Sequence, residues 1–493
     1  MRRSVTRGLG ATLVLGCLLA GCSAPRPQPP AAAPDLGRSL AAKVTADAML
    51  SHLRALQEIA NANNGNRAAG TAGYDASVEY LVKALRGSGF EVSTPQFERL
   101  STASPGKPAV TIAGRSYPVD QASLLVRTPP GGLTGPVAAP ARPAGCSPGD
   151  YPSVLPSGAI AVVDDTRCSV VDKQDSALAR GAAALIVVSE PGTQGAPAGL
   201  FTPGYYHRLT VPVAVVGANG GAALARATGP VRLVLDAENV TITSRNVVAQ
   251  TKTGAPNEVV VVGAHLDSPG NSPGINDGGS GVAAVLETAL QLGPLPPVTN
   301  AVRFVFFGAE EDGLHGALDY VFGLNTDQLN DIALYLNFDM LGSPNAGFFT
   351  DDGDQSGPAG PGVAPADVPE GSAGIERTLA GYLNLAGKRP ADMPLHTRAD
   401  YHPFLVAGVP VGGLTTGASQ TKTTVQARLW GGQAGVAFDP NYQSVRDTVA
   451  NINREALAIM GAGVAFAVGS YAESITGPNG VTPHDKRHRT RMS

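Results

Sequence analysis

At 493 residues the chain is too long for one ordinary domain and has room for two or three, each with its own core. A formal net charge of −4 and a charged fraction of 15% exclude an electrostatic case for nucleic acid as a partner. Aromatics are 5%, with 61 glycines and 40 prolines, which favours an enzyme rich in tight turns over a coiled coil or a repeat array.

The first predicted element is a leader. Arg2, Arg3 and Arg7 form a basic head, and Leu9 to Ala20 is an apolar run too short to span a bilayer. Leu19-Ala20-Gly21-Cys22 closes it. Small residues before a Cys at this depth look like a bacterial lipoprotein signal over 1–21, cut before Cys22, whose thiol would then carry a diacylglyceryl anchor alongside palmitate. The expected location is outside the cell, lipid-anchored to the outer face of the cell membrane through Cys22. An ordinary secretory signal with an incidental Cys22 is the alternative. Residues 22–43, with the proline-rich Pro25 to Pro34, read as an extended tether. Cys17 lies in the leader, so Cys146 and Cys168 remain, and in an oxidising compartment they read as a disulfide.

Helices follow. Met49, Leu53, Leu56 and Ile59 recur at helical spacing, as do Val78, Leu81, Val82 and Leu85. Gly87 and Gly89 stop the second helix, and the polar loop Asn64 to Thr71 separates the two. Phe90 to Phe97 turns to strand. From 101 to 240 prolines and glycines cluster, and short apolar runs at Ala159 to Val163, Ala184 to Val188 and Val211 to Val216 flank a helix at Lys173 to Gly181. This predicts an inserted mixed α/β domain. The first style resumes over 241–472, which with 44–100 forms the main domain. Its buried strands are Val259 to Ala264, Val302 to Phe307, Ile332 to Phe338 and Val409 to Thr415. Helices are expected at Gly281 to Leu292 and Thr448 to Gly469. The alternation predicts a three-layer α/β/α sandwich with a mixed central sheet. Residues 473–493 read as a polar tail.

Candidate ligands sit at strand ends, where α/β proteins place their sites. His265 and Asp267 follow the first buried strand, and Asp277 lies in Gly274-Ile275-Asn276-Asp277-Gly278-Gly279. Glu310 and Glu311 follow the second strand and Asp339 follows the third. Imidazole mixed with carboxylate suits a borderline divalent ion, and a further carboxylate can take a proton from water. One such motif alone has a bland explanation, such as a turn or a surface pair. Their recurrence on successive strand ends favours a metal site.

The motifs Ala264-His265-Leu266-Asp267-Ser268, Pro273 to Gly281, Gly308-Ala309-Glu310-Glu311 and Leu336 to Ser343 resemble the secreted double-zinc aminopeptidases, relatives of glutamate carboxypeptidases and glutaminyl cyclases. The likeness covers about 45 to 100 and 240 to 470. It implies His265 and Asp339 on one zinc, Asp277 bridging to a second, and Glu311 on that second ion. Asp267 would orient His265, Glu310 would be the general base, and Tyr442 would hydrogen-bond the oxyanion. Arg398 would contact substrate, or would pair with Asp400 instead. One position departs from the pattern: the family has His where this chain has Gln443, so the second zinc site is in doubt. His402 is a weak substitute. Gly158 to Val163, Cys168, Lys173 and Ala179 to Val187 resemble a protease-associated (PA) domain, a lid or docking module without chemistry of its own.

The resemblance implies an aminopeptidase acting on peptides with a free N-terminus and an apolar first side chain, through zinc-activated water. A related carboxypeptidase and a peptide-binding surface lipoprotein with impaired catalysis are the alternatives. A glutaminyl cyclase fits less well, since its single zinc site uses the missing His.

Overall fold

A computed structural model describes residues 35–491 apart from 105, 124, 190–199 and 202–204. The leader, Cys22 and most of the expected tether lie outside the described residues. Three helices open the main domain: α1 (Leu36–Ala41), α2 (Ala46–Ala62) and α3 (Ala72–Gly87). Thr45 caps α2 by accepting from the Ala48 N–H, and Thr71 caps α3 by accepting from the Tyr74 N–H. Helix α1 falls inside the stretch expected to be tether. Leu40 and Gly37 are buried in it, so that segment packs before the domain proper begins.

The main sheet has eight strands: β1 (Val92–Ser93), β2 (Val247–Gln250), β3 (Ala255–His265), β4 (Asn300–Phe307), β5 (Ile332–Phe338), β6 (Phe349–Asp351), β7 (Ala391–Met393) and β8 (Val411–Thr415). Their order is β1-β2-β4-β3-β5-β8-β6-β7. The four central strands β4, β3, β5 and β8 run parallel, while β2 and β6 pair antiparallel at either side. Val260, Val262 and Ala264 of β3 face the core under α2, α3 and the helices Gly279–Leu292 and Arg454–Glu473. Val259 and Val261 face the opposite core, under His315–Phe322 and His402–Val406. Burial on both faces explains the continuous apolar run. The three-layer sandwich is as expected.

The expected helix from Thr448 starts later. Val449–Asn451 forms a 3-10 turn, and the Asn453 side chain caps Arg454–Glu473 by accepting from the Ala456 N–H. The helix is long and apolar enough to cross a membrane, but its apolar window is 67% buried inside the fold, as befits a core helix. The end of the chain is more than a polar tail. Arg487 is buried and donates to the Asn330 carbonyl at 2.8 Å, pairing also with Glu258.

The insertion leaves and returns along an antiparallel ribbon, Gln96–Ser104 against Glu238–Arg245. The expected strand from Phe90 to Phe97 is thus split between the sheet edge β1 and this ribbon. Inside the insertion, Ile160–Asp164, Ala184–Val188 and Val213–Val216 form a parallel core with Val137–Ala138, and a second, antiparallel sheet packs beside it. Helix Val170–Leu178 begins three residues earlier than expected because Ser169 caps it.

Candidate metal centre

His265 ends β3, and each further group arrives on the loop that leaves a central strand. The His265 Nε2 lies 3.5 Å from Asp277 Oδ1 and 3.4 Å from Asp339 Oδ1. His265, Asp277 and Glu311 each offer a ligand atom, and these lie within 4.8 Å of one another. Gly278 lets the ring come this close. Its φ is +73°, and a Cβ there would sit 2.5 Å from His265 Cε1.

The loops are held by buried polar side chains. Asp267, fully buried, accepts from the Glu310 N–H at 3.1 Å and the Glu311 N–H at 3.3 Å, and lies 3.8 Å from His265 Nδ1. Asp447 accepts from the Asn276 and Asp277 N–H groups at 2.7 and 3.1 Å. Arg67, also fully buried, donates to the carbonyls of Leu266, Pro273 and Gly274, clamping the loop between His265 and Asp277. Burial drags its guanidinium down to about 10, against the pull of Asp267 and Asp447. Sequence reasoning placed Arg67 only in a polar loop. Its single signal was an arginine in an otherwise uncharged, glycine-rich stretch. Ala309, Met340 and Gln443, next to the glutamates, Asp339 and Tyr442, all adopt positive φ, so the loops are held in a demanding conformation.

The electrostatics call for a cation. Burial, then Asp277, pushes Glu311 up to about 10, and burial also raises Asp277 and Glu310. Burial pushes His265 down, but Glu310 and Asp339 outweigh it and hold the ring well above the usual range. Asp277 Oδ2 and Glu311 Oε1 are buried with no hydrogen-bond partner. Orphaned buried acceptors are costly, and a divalent ion satisfies them. The residues present therefore fit a metal.

Gln443 stands at the edge of this cluster. Its Nε2 donates to Glu311 Oε2 at 2.8 Å. His402 lines the same cavity but stands outside the ligand cluster. Arg398 also lines the cavity, is exposed, and makes no ion pair with Asp400, whose Oδ1 is orphaned. The alternative of an Arg398–Asp400 pair is thus not what forms. Tyr442 faces the cavity, and among the described residues its hydroxyl takes no hydrogen bond. Burial, then Asp277 and Asp339, raises its hydroxyl, so it stays protonated.

The insertion reaches this site through the ribbon. Arg99 donates to the Ala69 carbonyl at 3.0 Å and pairs with Asp312, next to Glu311, at 3.0 Å. Within the insertion, Cys146 and Cys168 form the expected disulfide. Buried Lys173 donates to the carbonyls of Ala144 and Thr166 at 2.8 and 2.7 Å, tying together the two loops that carry it.

The sequence profile of peptidase family M28 matches residues 246–468, and that of the PA domain matches 133–224. The chain is 50% identical over 482 residues to the probable lipoprotein aminopeptidase LpqL of Mycobacterium tuberculosis, covering 96% of this chain and 95% of that protein. The chain belongs to peptidase family M28. An aminopeptidase of Pseudomonas aeruginosa is 39% identical to this M28 chain over 434 residues, covering 85% of it and 79% of the relative. The fold of the M28 chain matches an aminopeptidase from Aneurinibacillus sp. strain AM-1 with a TM-score of 0.54 and 23% identity, covering 91% and 98% of the two chains. A PA domain is inserted in the M28 fold, as the sequence predicted.

Proposed function

We propose that this chain is an exported zinc aminopeptidase that releases N-terminal residues from peptides. The observation that carries this reading is the convergence of His265, Asp277 and Glu311, with orphaned acceptor oxygens, beside Glu310 and the unpartnered Tyr442 hydroxyl. His265, Asp277, Glu311 and Asp339 would hold the metal, and Asp267 fixes the first of them from behind. A bound divalent ion would supply Lewis-acid polarisation of the scissile carbonyl and acidify water. Glu310 takes the proton of the attacking water and returns it to the leaving amine. The Tyr442 hydroxyl donates toward the oxygen that becomes negative. Arg398 contacts the substrate from the rim. One zinc binds firmly. The second is weak, because Gln443 offers at most a neutral amide oxygen where an imidazole is needed.

The named relatives support the activity, and the first of them supports the lipoprotein reading of Cys22. The ribbon of Gln96–Ser104 against Glu238–Arg245 supports the domain bounds 44–100 with 241–472 and 101–240. Hydrolysis of aminoacyl-nitroanilides against acyl-peptides, with added Zn, Mn, Co or Ca, tests the proposal. Turnover of the first class alone is expected. Turnover of acyl-peptides alone would make it a carboxypeptidase. No turnover under any metal would favour the peptide-binding lipoprotein, a reading that Gln443 keeps open. Mass spectrometry of the N-terminal peptide should find a lipidated Cys22.

A further inference from the structure

The cavity over the metal centre has a second carboxylate feature away from the ligands. Asp351, the last residue of β6, lines this cavity of about 690 Å³ together with Met393, Tyr401, Leu414 and Thr415. It keeps 7% exposure, so the carboxylate is buried yet open to the cavity. Among the described residues it takes no hydrogen bond and no ion pair, and Arg398, in the same cavity, does not reach it. A buried carboxylate with no donor is expensive unless a partner arrives.

The sheet register says where it stands. Asp351 follows the Thr350–Leu414 pair and so lies beside Gly413, which in turn pairs with Asn337 of β5. Two strand spacings, about 10 Å, thus separate it from the strand that ends at Asp339. Asp339 lies two residues, about 7 Å, further along that strand, so only a long first side chain reaches from the metal centre toward Asp351. Strand β8 leaves the way clear. Gly413 and Thr415 share one face by the two-residue alternation of a strand, and both are small. A Cβ at Gly413 would lie 2.7 Å from Asp351 Oδ2, so only glycine admits the carboxylate here. Met393 flanks the path with apolar surface, suited to a methylene stem.

We propose that Asp351 is the floor of the subsite for the first side chain and selects a cationic one, lysine or arginine. This deepens the aminopeptidase reading and rests on it. It replaces the apolar preference expected from sequence: the walls are apolar, but the floor is an acid. The cationic head supplies the donor that Asp351 lacks, and the walls cover its stem.

The test compares kcat/KM for lysine, arginine and leucine p-nitroanilides in the wild type, Asp351→Asn and Thr415→Phe. The first variant removes the charge and keeps the shape. The second keeps the charge and blocks the path. Each should lower the Lys-to-Leu ratio tenfold or more, with the thermal denaturation midpoint serving as the control for folding. A ratio within twofold of wild type in Asp351→Asn overturns the inference. Binding of lysinamide and leucinamide is measured by calorimetry on the same proteins. Should the wild type turn over none of the substrates, the aminopeptidase reading falls. The subsite is then decided by calorimetry alone: a wild-type preference for lysinamide that Asp351→Asn abolishes supports it, and equal affinities overturn it.

Discussion

The two α/β units of this chain differ in what their central parallel strands deliver at their carboxyl ends. In the main domain, β3, β4 and β5 release His265, Glu310 with Glu311, and Asp339 into one cavity, with acceptor atoms left orphaned. In the inserted domain, Ile160–Asp164 releases Asp164, whose Oδ1 is satisfied at once by the Thr166 N–H and hydroxyl. The neighbouring loops are closed by the disulfide and by Lys173. Similar architecture thus leaves strand-end acids unpaired in one unit and pairs Asp164 at once in the other. An unsatisfied carboxylate is costly, and a protein keeps one where a ligand will complete it.

The strongest way to break this contrast is Glu310→Gln. Loss of the proton acceptor should cut kcat by about 10²–10⁴-fold while metal content by elemental analysis stays at the wild-type level. A rate within threefold of wild type would remove Glu310 from the mechanism. Next is Arg67→Met, which strands three buried carbonyls at about 1–3 kcal/mol each, and should lower the denaturation midpoint and the zinc content together. Zinc retained at full occupancy in the folded variant would show that the clamp does not shape the site. The matching change in the other domain is Cys168→Ser. Opening a loop of 22 residues should cost about 3 kcal/mol, seen as an earlier melting transition, with hydrolysis of a small aminoacyl substrate little altered. An equal loss of activity would mean that the domains are not separable in function.

The smallest effect sharpens the contrast within the main domain. Gln443→His replaces the amide that now hydrogen-bonds Glu311 with an imidazole ligand. Metal per chain should rise from about one toward two. Two tightly held zinc ions in the wild type would refute the weak second site.

Much of this was legible in the sequence. Continuous apolar strands, each followed within three residues by a ligand-type residue, set the order β3, β4, β5 and their acids, because a doubly buried strand cannot itself carry a carboxylate. Other parts were not legible. Residues 36–41 are short and flanked by polar chain, and only the groove beside Arg454–Glu473 makes them a helix. The C-terminal Arg487 looked solvated, yet Glu258 and the Asn330 carbonyl, more than 150 residues away, bury it. Neither partner can be inferred from spacing.

The same division applies to the site. The sequence by itself determined the family resemblance, the ligand types, the missing imidazole at Gln443 and the disulfide, since these depend on residue identity at fixed positions. Only the tertiary structure decided that Arg67 and Asp447 hold the loops, that Arg398 leaves Asp400 unpaired, and that Asp351 opens into the cavity beside Gly413. Those facts depend on which distant backbone groups meet in a dry interior. There, hydrogen-bond satisfaction is set by packing and not by local pattern.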